Sequence, residues 1–196
     1  EEKPLLMVKS IAETGNDLKE LIESIIDINK MKNSKLVLKE TLFVPQEEIQ
    51  SAFDKYISKA QEKNQDYRLN IDNGMPVSLV GDKERVRQVI GILIDNAIKF
   101  TAQESGKIAV HLFYDEVAQN LICEVRDNGM GIKKEDQKKI FEIQQVDGSI
   151  TREHEGAGLG LTVASSIIKI MKGAISLKSI PSKGSYFIVE FPLKRN

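Results

Sequence analysis

The chain has 196 residues, enough for one good core and a smaller appendage. A formal net charge of −1, with the two signs interspersed, leaves no basic footprint for nucleic acid, and no apolar run approaches the length of a membrane span. The one cysteine, Cys123, excludes an intrachain disulfide and points to a reducing compartment.

The N-terminus lacks the basic and apolar regions of a signal peptide, and the absence of an initiator Met is expected of a fragment of a longer protein. From about Pro4 to Lys32 the pattern is that of one helix, with Ile11, Leu18 and Ile25 seven apart and Leu21, Ile22 and Ile28 filling the same stripe. The stretch is short for an independent coiled coil, so packing on its own domain and dimerisation both stay open. Thr41 to Pro45 fits a short strand, and Gln46 to Asn64 a helix with Ile49, Phe53, Tyr56, Ile57 and Ala60 on one face. Arg68 to Asp72 and Val77 to Val80 fit strands separated by the turn residues Asn73-Gly74-Met75-Pro76.

Asp82 is placed to cap the next helix, which turns Val86, Val89, Ile90, Leu93 and Ala97 to the core and Gln88, Asp95, Asn96 and Lys99 to other faces. A side-chain carbonyl such as that of Asn96 is a hard ligand suited to Mg²⁺, and Lys99 can reach a phosphate. A capping Asn and a solvated Lys are the plain alternative. Lys107 to Tyr114 and Leu121 to Asp127 fit a hairpin through Glu116 to Asn120. The period of two puts Asp127 on the side of Leu121, Cys123 and Val125, where a carboxylate needs a protein partner or a ligand N–H. In Asp127-Asn128-Gly129-Met130-Gly131-Ile132, Gly129 and Gly131 permit positive φ and close approach to the backbone; an Asx turn ending a strand is the simpler account.

Lys134 to Glu142 fits a short helix, and Gln144 to Ala157, without hydrophobic period, a mobile loop. Gly158 and Gly160 then open a helix with Val163, Ile167, Ile170 and Met171 at core spacing, and the unpaired amides of such an N-terminus suit a phosphate. A glycine-rich cap without ligand is the alternative. Ala174 to Ile180 and Tyr186 to Phe191 fit a terminal hairpin, with Ser185 in the parity of Phe187, Val189 and Phe191 and so facing the layer of Asp127. Strands in hairpins with helices between them predict an α+β fold, a two-layer α/β sandwich. It is expected to have a mixed, mostly antiparallel sheet with helices on one face and a long helix before it. No glycine fingerprint follows a first βα turn, which disfavours dinucleotide binding.

Three blocks in order, Asp95-Asn96-Ala97-Ile98-Lys99-Phe100-Thr101, Asp127 to Ile132, and Gly156-Ala157-Gly158-Leu159-Gly160-Leu161, resemble the N, G1 and G2 boxes of the sensor histidine kinase ATP-binding domain, within the wider family of gyrase-type ATPases. The resemblance runs from about Ile11 to the C-terminus, and Asp27 to Leu36 looks like the end of the second dimerisation helix and its joint. It implies a partial dimerisation helix over 1–36 and an ATP-binding catalytic domain over 41–196. It further implies ATP as ligand, magnesium held through Asn96, Lys99 on the nucleotide, and Asp127 accepting from the adenine amino group beside Gly129, Gly131, Ile132 and Ser185. Gly156, Gly158, Leu159 and Gly160 are implied at the phosphates, and Arg152 near the γ-phosphate.

The implied partners are ATP or ADP, a phosphoacceptor His helix of the same protein or its dimer mate, and a response-regulator receiver; neither His111 nor His154 has the phosphoacceptor context. A homodimer is expected of the full protein, and the domain is expected in the cytoplasm, with membrane tethering of the full protein left open. Two departures stand out. Ile92 occupies a position where the family usually has a polar residue near the γ-phosphate, and after Ile140-Phe141 the usual Pro-Phe is replaced at Ile143. They keep two alternatives open: a nucleotide-sensing or dimerising module without kinase chemistry, and a gyrase-like ATPase, against which the missing Glu at 92 counts.

Overall fold

In the computed structural model, placement is described for residues 36–141 and 159–196 and, before them, for Gly15, Leu18, Lys19, Ile22, Ile25, Ile26, Asp27, Asn29 and Lys30. These earlier residues are helical. Leu18, Ile22 and Ile25 of the predicted stripe are exposed, while Ile11, Leu21 and Ile28 lie outside the described residues.

The main sheet has the order β2-β4-β5-β7-β6, built from β2 (Asp66–Ile71), β4 (Lys107–Asp115), β5 (Asn120–Asp127), β6 (Ala174–Ile180) and β7 (Gly184–Pro192). Only the β2 and β4 pairing is parallel. A second, three-stranded sheet joins β1 (Thr41–Phe43), β3 (Leu79–Gly81) and β8 (Lys194–Arg195). The two strands predicted around Asn73-Gly74 therefore belong to different sheets, and β8 was not expected at all.

Alternation along β4 and β5 decides which face is covered. Ile108, Val110, Leu112, Leu121, Cys123 and Val125 are buried, whereas Lys107, Ala109 and Arg126 on the other face are exposed. On the buried face lie α3 (Lys83–Phe100) and α4 (Leu159–Ile170). Asp82 caps α3 as predicted, accepting from the Arg85 amide at 3.2 Å. Val86, Val89, Ile90, Leu93 and Ala97 are all buried, joined by Ile94 and Ile98. Each fully buried Ile or Leu of this stripe contributes about 1.5–3 kcal/mol. In α4 the core residues are Val163, Ile167, Ile168 and, just beyond it, Met171; Ile170 is only half-buried.

The helix predicted over Gln46 to Asn64 is two: α1 (Pro45–Asp54) and α2 (Ile57–Glu62). The Phe53 carbonyl accepts from the Tyr56 amide at 3.0 Å and the Tyr67 hydroxyl at 3.2 Å, a tighter turn capped by a side chain of the neighbouring strand. The predicted apolar face survives the break, with Ile49, Phe53, Tyr56 and Ala60 buried. The segment from Lys134 is not an α-helix either; it runs through turns into a 3-10 turn at Lys139–Phe141. There Gln137 donates to the carbonyls of Ile132 and Ser179, both at 2.9 Å, so its side chain holds the turn against the end of β6. Among the described residues no helix is long and apolar enough to cross a membrane.

Candidate functional site

The end of β5 meets the C-terminal end of α3 and the start of β7. Asp127 is 8% exposed, and its Oδ1 accepts from the amides of Gly129 at 2.8 Å and Ser185 at 3.1 Å. Among the described residues Oδ2 has no hydrogen-bond partner. Burial pushes the Asp127 carboxyl above the usual carboxylate range, although the two amides pull it back. Ser185 is itself buried and its hydroxyl lies 3.2 Å from that of Ser179, which accepts from the Ile132 amide at 2.8 Å. The turn after Asp127 is thereby stapled to both strands of the β6–β7 hairpin.

The glycines of this turn also make room for neighbouring backbone. Gly131 does take positive φ, at 66°, but a Cβ there would lie 2.1 Å from the Ile180 carbonyl oxygen. Gly129 is not among the positive-φ residues; a Cβ on it would lie 2.3 Å from the Phe100 carbonyl oxygen. Both glycines admit protein backbone, the end of α3 on one side and the β6–β7 hairpin on the other.

Asn96, half-buried on α3, makes no side-chain hydrogen bond among the described residues. The first turn of α4 comes down beside it: a Cβ on Gly160 would lie 3.2 Å from Ile92 Cγ2 and 4.0 Å from Asn96 Nδ2. Ile92 is thus the apolar floor against which the second glycine loop ends. Leu159 and Gly160 open α4, as predicted, while Gly156, Gly158, Arg152 and His154 lie outside the described residues.

Lys99 is engaged elsewhere, with Nζ 2.5 Å from Asp95 Oδ2, and Lys59 of α2 holds Oδ1 of the same carboxylate at 2.9 Å. Burial alone would push the Asp95 carboxyl up, but the hydrogen bonds and charges of Lys99 and Lys59 outweigh it and hold the carboxyl below its ordinary value. The nearby Lys63 donates to the Ile98 carbonyl at 2.9 Å, and Gln65 to those of Ile98 and Thr101 at 3.1 and 2.8 Å. The α2 segment therefore ties down the last turn of α3, where Asn96 and Lys99 sit. The spacing of Asp95 and Lys99 was a readable signal for one of these contacts; the reach of Lys59 was not. His111 is remote from this site, on the open sheet face between Asp72 at 2.9 Å and Glu124 at 3.3 Å. No group of three or more carboxylates, histidines or cysteines among the described residues is arranged to hold a metal.

Comparison with known proteins shows the family. The chain is 31% identical over 193 residues to the signal transduction histidine-protein kinase BarA of Escherichia coli, covering 96% of this chain and 21% of that protein. It is 33% identical over 188 residues to the E. coli sensor histidine kinase RcsC, covering 95% and 19%. The chain thus spans about a fifth of the length of these relatives. Its fold is that of full-length ShkA, solved in complex with AMPPNP, with a TM-score of 0.80, 22% identity and coverage of 96% of this chain and 38% of that one. It is also similar to histidine kinase ThkA, solved in complex with the response regulator protein TrrA, with a TM-score of 0.68, 26% identity and coverage of 94% and 50%. A family model matches residues 81–195, α3 through β8 and every described residue of the site except Lys59, Lys63 and Gln65, so the chain belongs to the family of histidine kinase-, DNA gyrase B- and HSP90-like ATPases.

Proposed function

We propose that this chain is the ATP-binding catalytic portion of a two-component sensor histidine kinase, with part of a dimerisation helix over 1–36 and the catalytic domain over 41–196. Asp127 carries the reading: a buried carboxylate with one oxygen satisfied by two backbone amides and the other without a protein partner matches the amino edge of adenine. Gly129, Gly131, Ile132 and Ser185 shape that pocket. The phosphates lie toward Asn96, Lys99, Leu159 and Gly160, with Gly156, Gly158 and Arg152 assigned by the family pattern.

The side chain of Asn96, uncommitted among the described residues and facing the opening of α4, fits one ligand position of Mg²⁺, with phosphate oxygens and water supplying the rest. When bound, the ion neutralises charge on the phosphates. The γ-phosphoryl passes to a His on a preceding helix of the same protein or its dimer mate, and from there to the receiver Asp of a response regulator. The similarity to ThkA, which was solved with its regulator, supports that partner class.

Ile92 motivates a second reading, in which the site binds nucleotide while phosphoryl transfer is weak. Its side chain packs at the opening of α4 and can neither accept a proton nor orient water. Titration calorimetry with ATP and ADP, with and without Mg²⁺, tests the binding. Labelling by radioactive ATP of a chain extended to include the acceptor His separates the two readings, and absence of any nucleotide binding by a well-folded chain would refute both.

A further inference from the structure

Among the described residues of the N-terminal helix, Leu18, Ile22, Ile25 and Ile26 are between 45% and 58% exposed, and the one buried residue is a charged one, Asp27, at 7%. Its carboxylate is held on both oxygens. Arg85 Nη1 donates to Oδ2 at 2.7 Å and Nη2 to Oδ1 at 3.2 Å, while Gln88 Nε2 donates to Oδ2 at 2.9 Å. Arg85 also donates to Gln88 Oε1 at 2.5 Å, which closes the network. On the far side of the joint, the Lys39 amide donates to Asp82 Oδ2 at 2.9 Å, the same carboxylate that caps α3. Both ends of the joint are therefore fastened to the opening turns of one helix.

That helix is the one on which the nucleotide reading depends. Arg85, Gln88, Ile92, Asn96 and Lys99 follow one another at spacings of three and four and so share one face. Gln88 lies about 6 Å and Arg85 about 16 Å along the axis from Ile92 and Asn96 respectively. A contact made by apolar area would tolerate sliding, whereas a bidentate carboxylate–guanidinium pair fixes register and breaks as a unit. Burial would push the Asp27 carboxyl up, yet Arg85, Gln88 and the charge of Lys30 hold it below its ordinary value, so the pair stays ionised through neutral pH.

We propose that Asp27, through Arg85 and Gln88, is a positioning latch that sets the register of the N-terminal helix along the nucleotide-binding helix. With the latch closed the helix has one position relative to Asn96; with it open the helix takes several. The bearing on phosphoryl transfer rests on the function proposed above, but the latch itself does not.

The test is a distance measurement by double electron–electron resonance on the 196-residue chain, with spin labels at Gly15→Cys and Val117→Cys, both exposed, and unlabelled chain added to dilute contacts between copies. Cys123 is fully buried and stays unlabelled. The expected result is one narrow distribution in the parent, a broad one in Asp27→Asn and in Arg85→Ala, and no further broadening in the double variant. The ATP dissociation constant should stay within about twofold, since the latch is separate from the nucleotide contacts. A parent distribution that is already broad, or single variants as narrow as the parent, overturns the latch and leaves ATP binding untouched. A parent that is narrow but binds no nucleotide sinks the proposed function and leaves the latch standing.

Discussion

At the end of the site proposed for adenine, Asp127 is anchored by two backbone amides, and the turn after it is seated by close backbone contacts to Phe100 and Ile180. At the end proposed for the phosphates, Asn96 has no side-chain partner among the described residues, Lys99 is held by Asp95, and Ile92 packs against the opening of α4. The first end is built from main chain; the second is built from side chains on one helix. Under the proposed function this contrast predicts that binding and catalysis are separable, with recognition at the first end and chemistry at the second.

The largest effect that would sharpen this contrast concerns Ile92. A positioned acid–base group contributes about 10²- to 10⁴-fold, so Ile92→Asn is expected to raise phosphate incorporation from labelled ATP by up to that range in a chain carrying the acceptor His. Nucleotide affinity should change little. Robust labelling of the parent would show that the phosphate end works as it stands and would erase the distinction between the two ends.

Next in size is Asp127. Asp127→Ala should weaken ATP binding at least tenfold in calorimetry, because a charge-assisted hydrogen bond in a buried slot contributes about 1.5–3 kcal/mol. Asp127→Asn is the sharper variant. It keeps an oxygen for the Gly129 and Ser185 amides but turns an N–H toward the adenine amino group. The folded carboxyl titrates above its unfolded value, so ionisation costs stability once the pH is above both. The Asn variant should therefore melt no lower than the parent while losing nucleotide; a lower melting temperature together with parental affinity would refute the adenine assignment.

Asn96→Ala tests the other end more gently. It should abolish the dependence of ATP affinity on Mg²⁺ while keeping most of the affinity for the adenosine portion, and a parental magnesium response would make Asn96 a plain surface residue.

The smallest effect lies away from the site. Burial would lower the His111 value, but hydrogen bonds to Asp72 and Glu124 and their charges outweigh it, so the imidazole titrates above its ordinary 6.5. The stabilisation is complete below the unfolded value and is lost as pH rises through the folded one. Thermal melts across this window should show a shallow decline that His111→Gln removes, with ATP affinity unchanged in both proteins. A change in affinity would mean that the open sheet face communicates with the site.

How much of this was legible beforehand depended on how local each feature is. The core face of α3, the Asp82 cap, the β4–β5 hairpin and the burial of Asp127 follow from residues a few positions apart, and all are as expected. The break between α1 and α2 is not, because it is enforced by the hydroxyl of Tyr67, on a strand that comes later in the chain. The same holds for β8, a two-residue strand that exists only because β3 offers it an edge.

By itself the sequence determined the apolar faces of β4, β5 and α3, where α3 begins, and that Asp127 would be a carboxylate in need of a donor, since side-chain period and capping chemistry are local properties. Tertiary structure alone decided who the partners are. That Ser185 supplies one of the amides on Asp127, that Gly129 and Gly131 leave room for the backbone of Phe100 and Ile180, that Lys59 shares Asp95 with Lys99, and that Asp27 closes on Arg85 all depend on strand order and helix placement.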